Sequence, residues 1–339
     1  MQPAAWAPLT AFTATLLAVW WLMRSGVALD APNARSLHRA PVPRTGGIGI
    51  HLGVVLAWLL VRPELPGILW LTFGVLLVVS LADDIRGLPV FLRLAVSVVG
   101  SGLLAASLLY EHVGVAGVLV ATLAVAWMSN LYNFMDGSDG LAGGMAMFGF
   151  TFYGVAAWLA GSTSFALVNF SVAAAAAAFL VFNFHPARVF MGDVGSVPLG
   201  FLAGALGIVG WIERDWPWWF PAVVFSPFIV DASVTLARRA TRRERVWEAH
   251  RDHYYQRMVQ LGWGHRGTAL AGYGLMLACG VLGLLATSAP VAGQITIMAA
   301  VVLAYAGLLA GIGRAWARRS QAPDAHAGQD PLEKKQGST

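Results

Sequence analysis

The chain has 339 residues, 58% of them hydrophobic and only 12% charged, against roughly 25% charged in an ordinary soluble domain. That deficit excludes a conventional soluble fold. The single cysteine, Cys279, excludes an internal disulfide framework and, lying in an apolar run, reads as a small packing residue.

Apolar runs long enough to cross a bilayer, about 17 to 25 residues each, predict helices at 6–27, 46–62, 66–82, 91–110, 114–133, 142–160, 164–182, 195–212, 217–237, 268–288 and 291–313. The first run lacks a basic leader and a small-residue cleavage site, so it reads as a retained helix and not a signal peptide. The expected architecture is an all-α integral membrane protein with about eleven transmembrane helices. Residues 1–321 form one polytopic domain, and the polar segment 322–339 reads as a disordered tail.

Lys and Arg set the orientation, because cytoplasmic loops retain them. With the N-terminus outside and the C-terminus cytoplasmic, 20 of the 22 basic residues lie in or beside cytoplasmic segments, and only Arg62 and Arg214 do not. The pI of 9.7 follows from this asymmetry and does not call for nucleic acid. On the outside, Trp216, Trp218 and Trp219 read as an interfacial aromatic anchor.

The unusual chemistry falls in the cytoplasmic segments. Ser36–Gly47 carries two prolines and the basic residues Arg39 and Arg44, and leads into a glycine-rich helix start. It reads either as a binding loop or as an ordinary positively charged inside loop. Asp83 and Asp84 end the third predicted helix, where the helix dipole opposes them. Adjacent aspartates repel, so they call for a cation, a shared proton or a basic partner such as Arg86 or Arg93.

The segment from Asn130 to Gly144 is the most informative. It sets Asn130, Asn133, Asp136 and Asp139 among four glycines at the end of an apolar run. Carboxylates at a membrane boundary are costly unless compensated. Asp136 and Asp139 would share a face if the stretch is helical, and the glycines would admit a bulky ligand. The economical reading is a site for a metal-bound, multiply charged substrate.

Further on, Asp193 lies between Gly192 and Gly195 just before a helix whose free N–H groups suit phosphate oxygens. Ser196 reads as a binding residue or a cap, and His185 beside Pro186 as structural. Asp231 is an isolated intramembrane acid. In the basic stretch Arg238–Arg257, His250 and His253 flank Arg251 and Tyr254 and Tyr255 follow. They read as a clamp for a diphosphate and a ring, or as a solvated charged helix; no third ligand makes them a zinc site.

The Asp-Asp pair, the Asn-x-x-Asn-x-x-Asp-Gly-x-Asp-Gly run and the Phe-Met-Gly-Asp-x-Gly-Ser run together resemble the polyprenyl-phosphate N-acetylhexosamine-1-phosphate transferases (glycosyltransferase family 4). The resemblance covers nearly the whole membrane portion. The pattern His250–Arg257 looks like the bacterial O-antigen-initiating branch.

The resemblance implies an enzyme of the inner membrane. It would pass an N-acetylaminosugar-1-phosphate from a UDP-sugar to undecaprenyl phosphate at the cytoplasmic face and release UMP. Mg²⁺ or Mn²⁺ would sit on Asp193 with Asp83 or Asp84. Asp83 would orient or deprotonate the acceptor, with Asp84 as its catalytic neighbour. Asn130, Asn133, Asp136 and Asp139 would line the nucleotide side; His250, Arg251 and His253 would hold the diphosphate or sugar; Arg44 and Arg93 would meet the lipid phosphate. A homodimer is compatible with this reading. The competing classes are a transporter using the clustered acids, a structural scaffold, and a glycosyltransferase that releases UDP.

Overall fold

The computed structural model describes residues 3–25, 29–30, 42–245 and 250–321. The tail expected at 322–339 and the first part of the proline-rich loop lie outside the described residues. After a short 3-10 turn, Pro3–Trp6, the helices are α1 (Ala7–Ser25), α2 (Gly46–Val61), α3 (Gly67–Arg86), α4 (Val90–Met135), α5 (Leu141–Leu159), α6 (Thr163–Asn183), α7 (Asp193–Ile212), α8 (Phe220–Val224), α9 (Ser226–Thr241), α10 (Tyr254–Met258), α11 (Gly264–Thr287) and α12 (Val291–Gln321). A five-residue π-helical segment, Val259–Trp263, joins α10 to α11. The described strands are the two-residue pieces Leu29–Asp30 and Val42–Pro43, paired antiparallel.

Among the described residues, eight helical stretches are long and apolar enough to cross a membrane. Every one of the eleven expected spans falls on a described helix, but not each on its own long one. The fourth and fifth share α4, which has 46 residues and a non-helical Gly114 (φ 63°, ψ −171°). A Cβ built on Gly102 would lie 3.4 Å from the Thr122 side chain. Residues twenty apart would be about 30 Å apart in a straight helix, so α4 doubles back at Gly114. The second span is the 16-residue α2, and the ninth is divided between α8 and α9.

Helices α5, α6 and α7 form the buried centre, with α1 and α2 against α6, and α3 and α4 against α7. Large apolar side chains on the periphery, such as Trp21, Leu71 and Leu303, point outward. Such an inversion suits hydrocarbon, where helices satisfy their own backbone. The outermost helix, α12, buries only Tyr305, whose hydroxyl meets Ser226 Oγ at 2.8 Å and Cys279 Sγ at 3.4 Å.

Reversals at successive helix ends place the segments around 44, 87, 137, 188 and 250 at one end of the bundle. The other end holds the α5–α6 and α7–α8 turns, where Ser162 Oγ donates to Asp215 Oδ1 at 2.5 Å. Burial pushes the Asp215 carboxyl up, and the Ser162 bond opposes this. The aromatic anchor expected there needs correction. Trp216 and Trp219 are buried; Trp216 stacks on Tyr153 at 4.8 Å and donates Nε1–H to the Gly207 carbonyl at 3.0 Å. Only Trp218, 70% exposed, is placed for an interface.

Candidate active site

The starts of α2 and α7 cross where Gly47 meets Gly195, so closely that a Cβ on Gly47 would overlap the Gly195 backbone. The Gly46 and Gly47 N–H groups donate to the Phe190 and Met191 carbonyls at 3.0 and 2.9 Å. Against this crossing comes the end of α3. Asp84 accepts from the backbone N–H of Asp193 at 3.0 Å and of Val194 at 2.8 Å. It therefore holds the start of α7, where the dipole favours negative charge. The N–H groups expected to be free for phosphate are taken by this carboxylate, so the geometry gives Asp84 a positioning task.

Asp83 and Asp193 face each other across one guanidinium. Arg93 Nη1 donates to Asp83 Oδ2 and, at 2.8 Å, to Asp193 Oδ2. The Leu88 N–H also donates to Asp83 Oδ1 at 2.6 Å. Of the two basic partners considered for the aspartate pair, Arg93 serves and Arg86 is exposed. From α4, Asn133 Nδ2 donates to Asp193 Oδ1 at 2.8 Å and contacts Ser196 Oγ at 3.0 Å. Ser196 in turn donates to the Gly192 carbonyl at 3.1 Å. Asn130, one turn earlier, donates to the Ala126 carbonyl of its own helix at 2.7 Å. Its described hydrogen bond does not join it to the carboxylates.

Asp136 and Asp139 do not share a face, because α4 ends at Met135 and Asp136 leaves it with φ −85° and ψ 48°. Burial pushes the Asp136 carboxyl well up; Arg44 opposes this, while Asp193 and Asp84 add to it. Asp136 thus belongs to the carboxylate cluster, with Arg44 as its cationic neighbour.

Asp139 turns the other way. His185 Nδ1 lies 2.6 Å from its Oδ2, and the Ala187 N–H donates to the same oxygen at 3.1 Å. His265 lies 3.7 Å from its other oxygen. The His185 and His265 rings stack at 5.6 Å, with 9° between their planes. The glycines here make room for protein and not for a ligand: Cβ atoms on Gly137 and Gly144 would overlap Tyr255 and Tyr273.

Asp231 is not isolated. It accepts from the Tyr254 and Tyr255 N–H groups, both at 2.9 Å, and lies 3.3 Å from His253 Nδ1. This carboxylate anchors the start of α10 and brings His253 against Phe134 (centroids 6.4 Å, 28°), one residue from Asn133. Tyr255 completes the junction by donating to the Phe134 carbonyl at 3.1 Å. His250 lies 4.9 Å ring to ring from His253. Burial, then His253 and Arg239, lower its pKa to about 4, so it is neutral at pH 7. Arg251 is half-buried in the same turn. Cationic character in this loop therefore comes from its arginines and not from His250.

The structure thus joins Asp83, Asp84, Asp193, Asn133 and Arg93 directly, adds Asp136 and Arg44 beside them, and brings in His253 through Phe134. The sequence reading passed over His265 and gave His185 only a structural part. Their position beside Asp139 depends on pairing across 46 and 126 residues, which no local spacing reveals.

The family described as Glycosyl transferase family 4 matches residues 66–211, which span Asp83 to Ser196. A probable undecaprenyl-phosphate N-acetylglucosaminyl 1-phosphate transferase of Bacillus subtilis is 28% identical over 265 residues, covering 73% of this chain and 74% of that protein. A phospho-N-acetylmuramoyl-pentapeptide-transferase of Moorella thermoacetica is 30% identical over 251 residues, covering 65% and 78%. An undecaprenyl-phosphate alpha-N-acetylglucosaminyl 1-phosphate transferase of Yersinia pestis is 32% identical over 194 residues, covering 52% and 53%. The chain belongs to glycosyl transferase family 4, within the superfamily of polyprenyl-phosphate N-acetylhexosamine-1-phosphate transferases.

Proposed function

We propose that this membrane transferase passes an N-acetylaminosugar-1-phosphate from a UDP-sugar to undecaprenyl phosphate, releases UMP, and so starts a lipid-linked cell-envelope glycan such as O-antigen. The observation that carries the reading is the meeting of Asp83 and Asp193 on Arg93, with Asn133 and Asp136 beside them. The distribution of Lys and Arg supports a site that faces the cytoplasm, and the bacterial relatives support an inner-membrane setting.

The donor set fits a hard divalent ion. Asp83 Oδ2 and Asp193 Oδ2 both reach one nitrogen, so they lie close together. Among the described residues no three His, Cys, Asp or Glu side chains form a ready-made metal cage. Mg²⁺ (or Mn²⁺) usually takes one or two carboxylates and completes its shell from substrate phosphates and water. Asp193 and Asp83 would hold it, and the chemistry it supplies is neutralisation of the diphosphate.

Asn133 orients Asp193, and Asp84 fixes the helix start that carries it. Asp83 aligns the acceptor phosphate, whose second pKa of about 6 leaves it largely ionised at neutral pH; direct in-line attack then needs no covalent enzyme intermediate. Asn130, Asp136 and Asp139 serve the nucleotide side, His253, Arg251 and neutral His250 the diphosphate or sugar, and Arg44 the acceptor phosphate. An apolar groove of about 340 Å³ lies between α3 and α4, lined by Leu71, Thr72, Val75 and Val99. It offers the isoprenoid chain an apolar surface on the two helices that carry Asp83 and Arg93.

Purified protein in detergent, given undecaprenyl phosphate, Mg²⁺ and a panel of UDP-N-acetyl sugars, tests the reading. One donor should support lipid-dependent turnover that EDTA abolishes and Mg²⁺ restores. Turnover indifferent to EDTA would remove the metal from the account. Asp231→Asn should raise the donor KM about ten-fold, as expected when a charge-assisted contact ordering the loop is lost, with a smaller change in kcat. An equal fall in kcat at unchanged KM would place Asp231 in the chemical step instead.

A further inference from the structure

Arg93 stands at the centre of the carboxylate cluster, yet its hydrogen bonding is incomplete. One nitrogen, Nη1, donates to both Asp83 and Asp193, while the Nε–H is buried with no acceptor among the described residues. A buried N–H without an acceptor is costly, and the guanidinium fork is most effective when two of its N–H groups bind one anion side by side. Arg93 is also not sealed in: its side chain is 35% exposed, against 8% for Asp83 and 17% for Asp193. It therefore has room to turn on a long, flexible stem.

Asp84 is already committed to two backbone N–H groups. The two carboxylate oxygens that meet at one point, Asp83 Oδ2 and Asp193 Oδ2, are the ones Arg93 holds. Building on the metal-dependent reading above, we infer that Arg93 is an exchangeable counter-ion. It neutralises Asp83 and Asp193 until a divalent cation takes their oxygens, and it then turns its Nε and Nη edge onto a phosphate oxygen of the anionic substrate.

The exchange couples the two ligands. A cation alone has to displace a paired guanidinium, whereas a cation arriving with a phosphate gives that guanidinium a new partner. Binding of the two should therefore be mutually reinforcing, and by linkage each should strengthen the other by the same factor. Arg93→Gln removes the competitor and the coupling together.

The test is Mn²⁺ titration of the purified full-length protein in detergent, followed by electron paramagnetic resonance, with and without inorganic pyrophosphate as the anion probe. Size-exclusion profile and circular dichroism report the fold, and Arg93→Lys serves as a second variant that keeps the charge. Without the anion, Arg93→Gln should bind Mn²⁺ about ten-fold more tightly than the wild type, as expected when one charge-assisted contact no longer competes. Arg93→Lys should fall between. Pyrophosphate should tighten Mn²⁺ binding in the wild type more than in Arg93→Gln, after allowing for Mn²⁺ taken up by pyrophosphate in solution. Equal or weaker Mn²⁺ binding by folded Arg93→Gln would overturn the exchange while leaving the metal reading in place. No Mn²⁺ binding by the wild type would remove the metal reading and the exchange with it.

Discussion

Asp193→Asn should lower turnover by about two to three orders of magnitude, the usual scale for losing one preorganised electrostatic group, and leave the protein folded. The side chain keeps its shape, so the contact with Asn133 Nδ2 at 2.8 Å and the packing at the start of α7 can persist. What is lost is the negative charge that Arg93 meets at 2.8 Å and that a divalent ion would share with Asp83. Folding should not suffer, because Asp83, Asp84, Asp136 and Asp193 crowd one another and removing one charge relieves repulsion. Initial rates of UMP release, beside a size-exclusion profile, check both halves. Full turnover from folded Asp193→Asn would move the chemistry away from this carboxylate.

Asp84→Ala should behave in the opposite manner, failing first in stability. Its carboxylate is the acceptor for two backbone N–H groups at the start of α7. Leaving buried donors unsatisfied costs about 1–3 kcal/mol each, so a loss of about 3 kcal/mol is expected. The junction of α3 with α7, and hence the distance between Asp83 and Asp193, would loosen with it. Asp84→Asn, which keeps an acceptor, should recover part of the stability. Thermal unfolding in detergent separates the cases. An inactive Asp84→Ala that unfolds at the wild-type temperature would show that Asp84 takes part in the reaction and does not merely hold the helix.

These two aspartates show where the sequence was readable and where it was not. The helices were legible because a bilayer demands apolar runs of a certain length, and that demand is local. Even the break at Gly114 left its mark as the gap between two predicted spans. The carboxylates and carboxamides were also legible as a set, since such groups at a membrane boundary need a reason.

Their division of labour was not. Asp83 and Asp84 are neighbours, but only Asp84 accepts from the backbone N–H groups at the start of α7, 109 residues away. Asp136 and Asp139 were paired on the assumption of a helix that stops at Met135. The glycines of 137–144 carry the same signature whether they admit a ligand or a tyrosine. Trp216 fits an interface or a core equally well by composition, and only the stack on Tyr153 decides. In each case the missing term is a long-range contact, which spacing along the chain does not encode.

The central claim is that the phosphate next to the sugar travels with it. It is tested most directly with a UDP-N-acetyl sugar labelled in its β-phosphate, incubated with the protein, undecaprenyl phosphate and Mg²⁺. The label should move into the organic phase, with UMP as the released nucleotide. Label remaining in water as UDP, with only the sugar in the lipid, would contradict it.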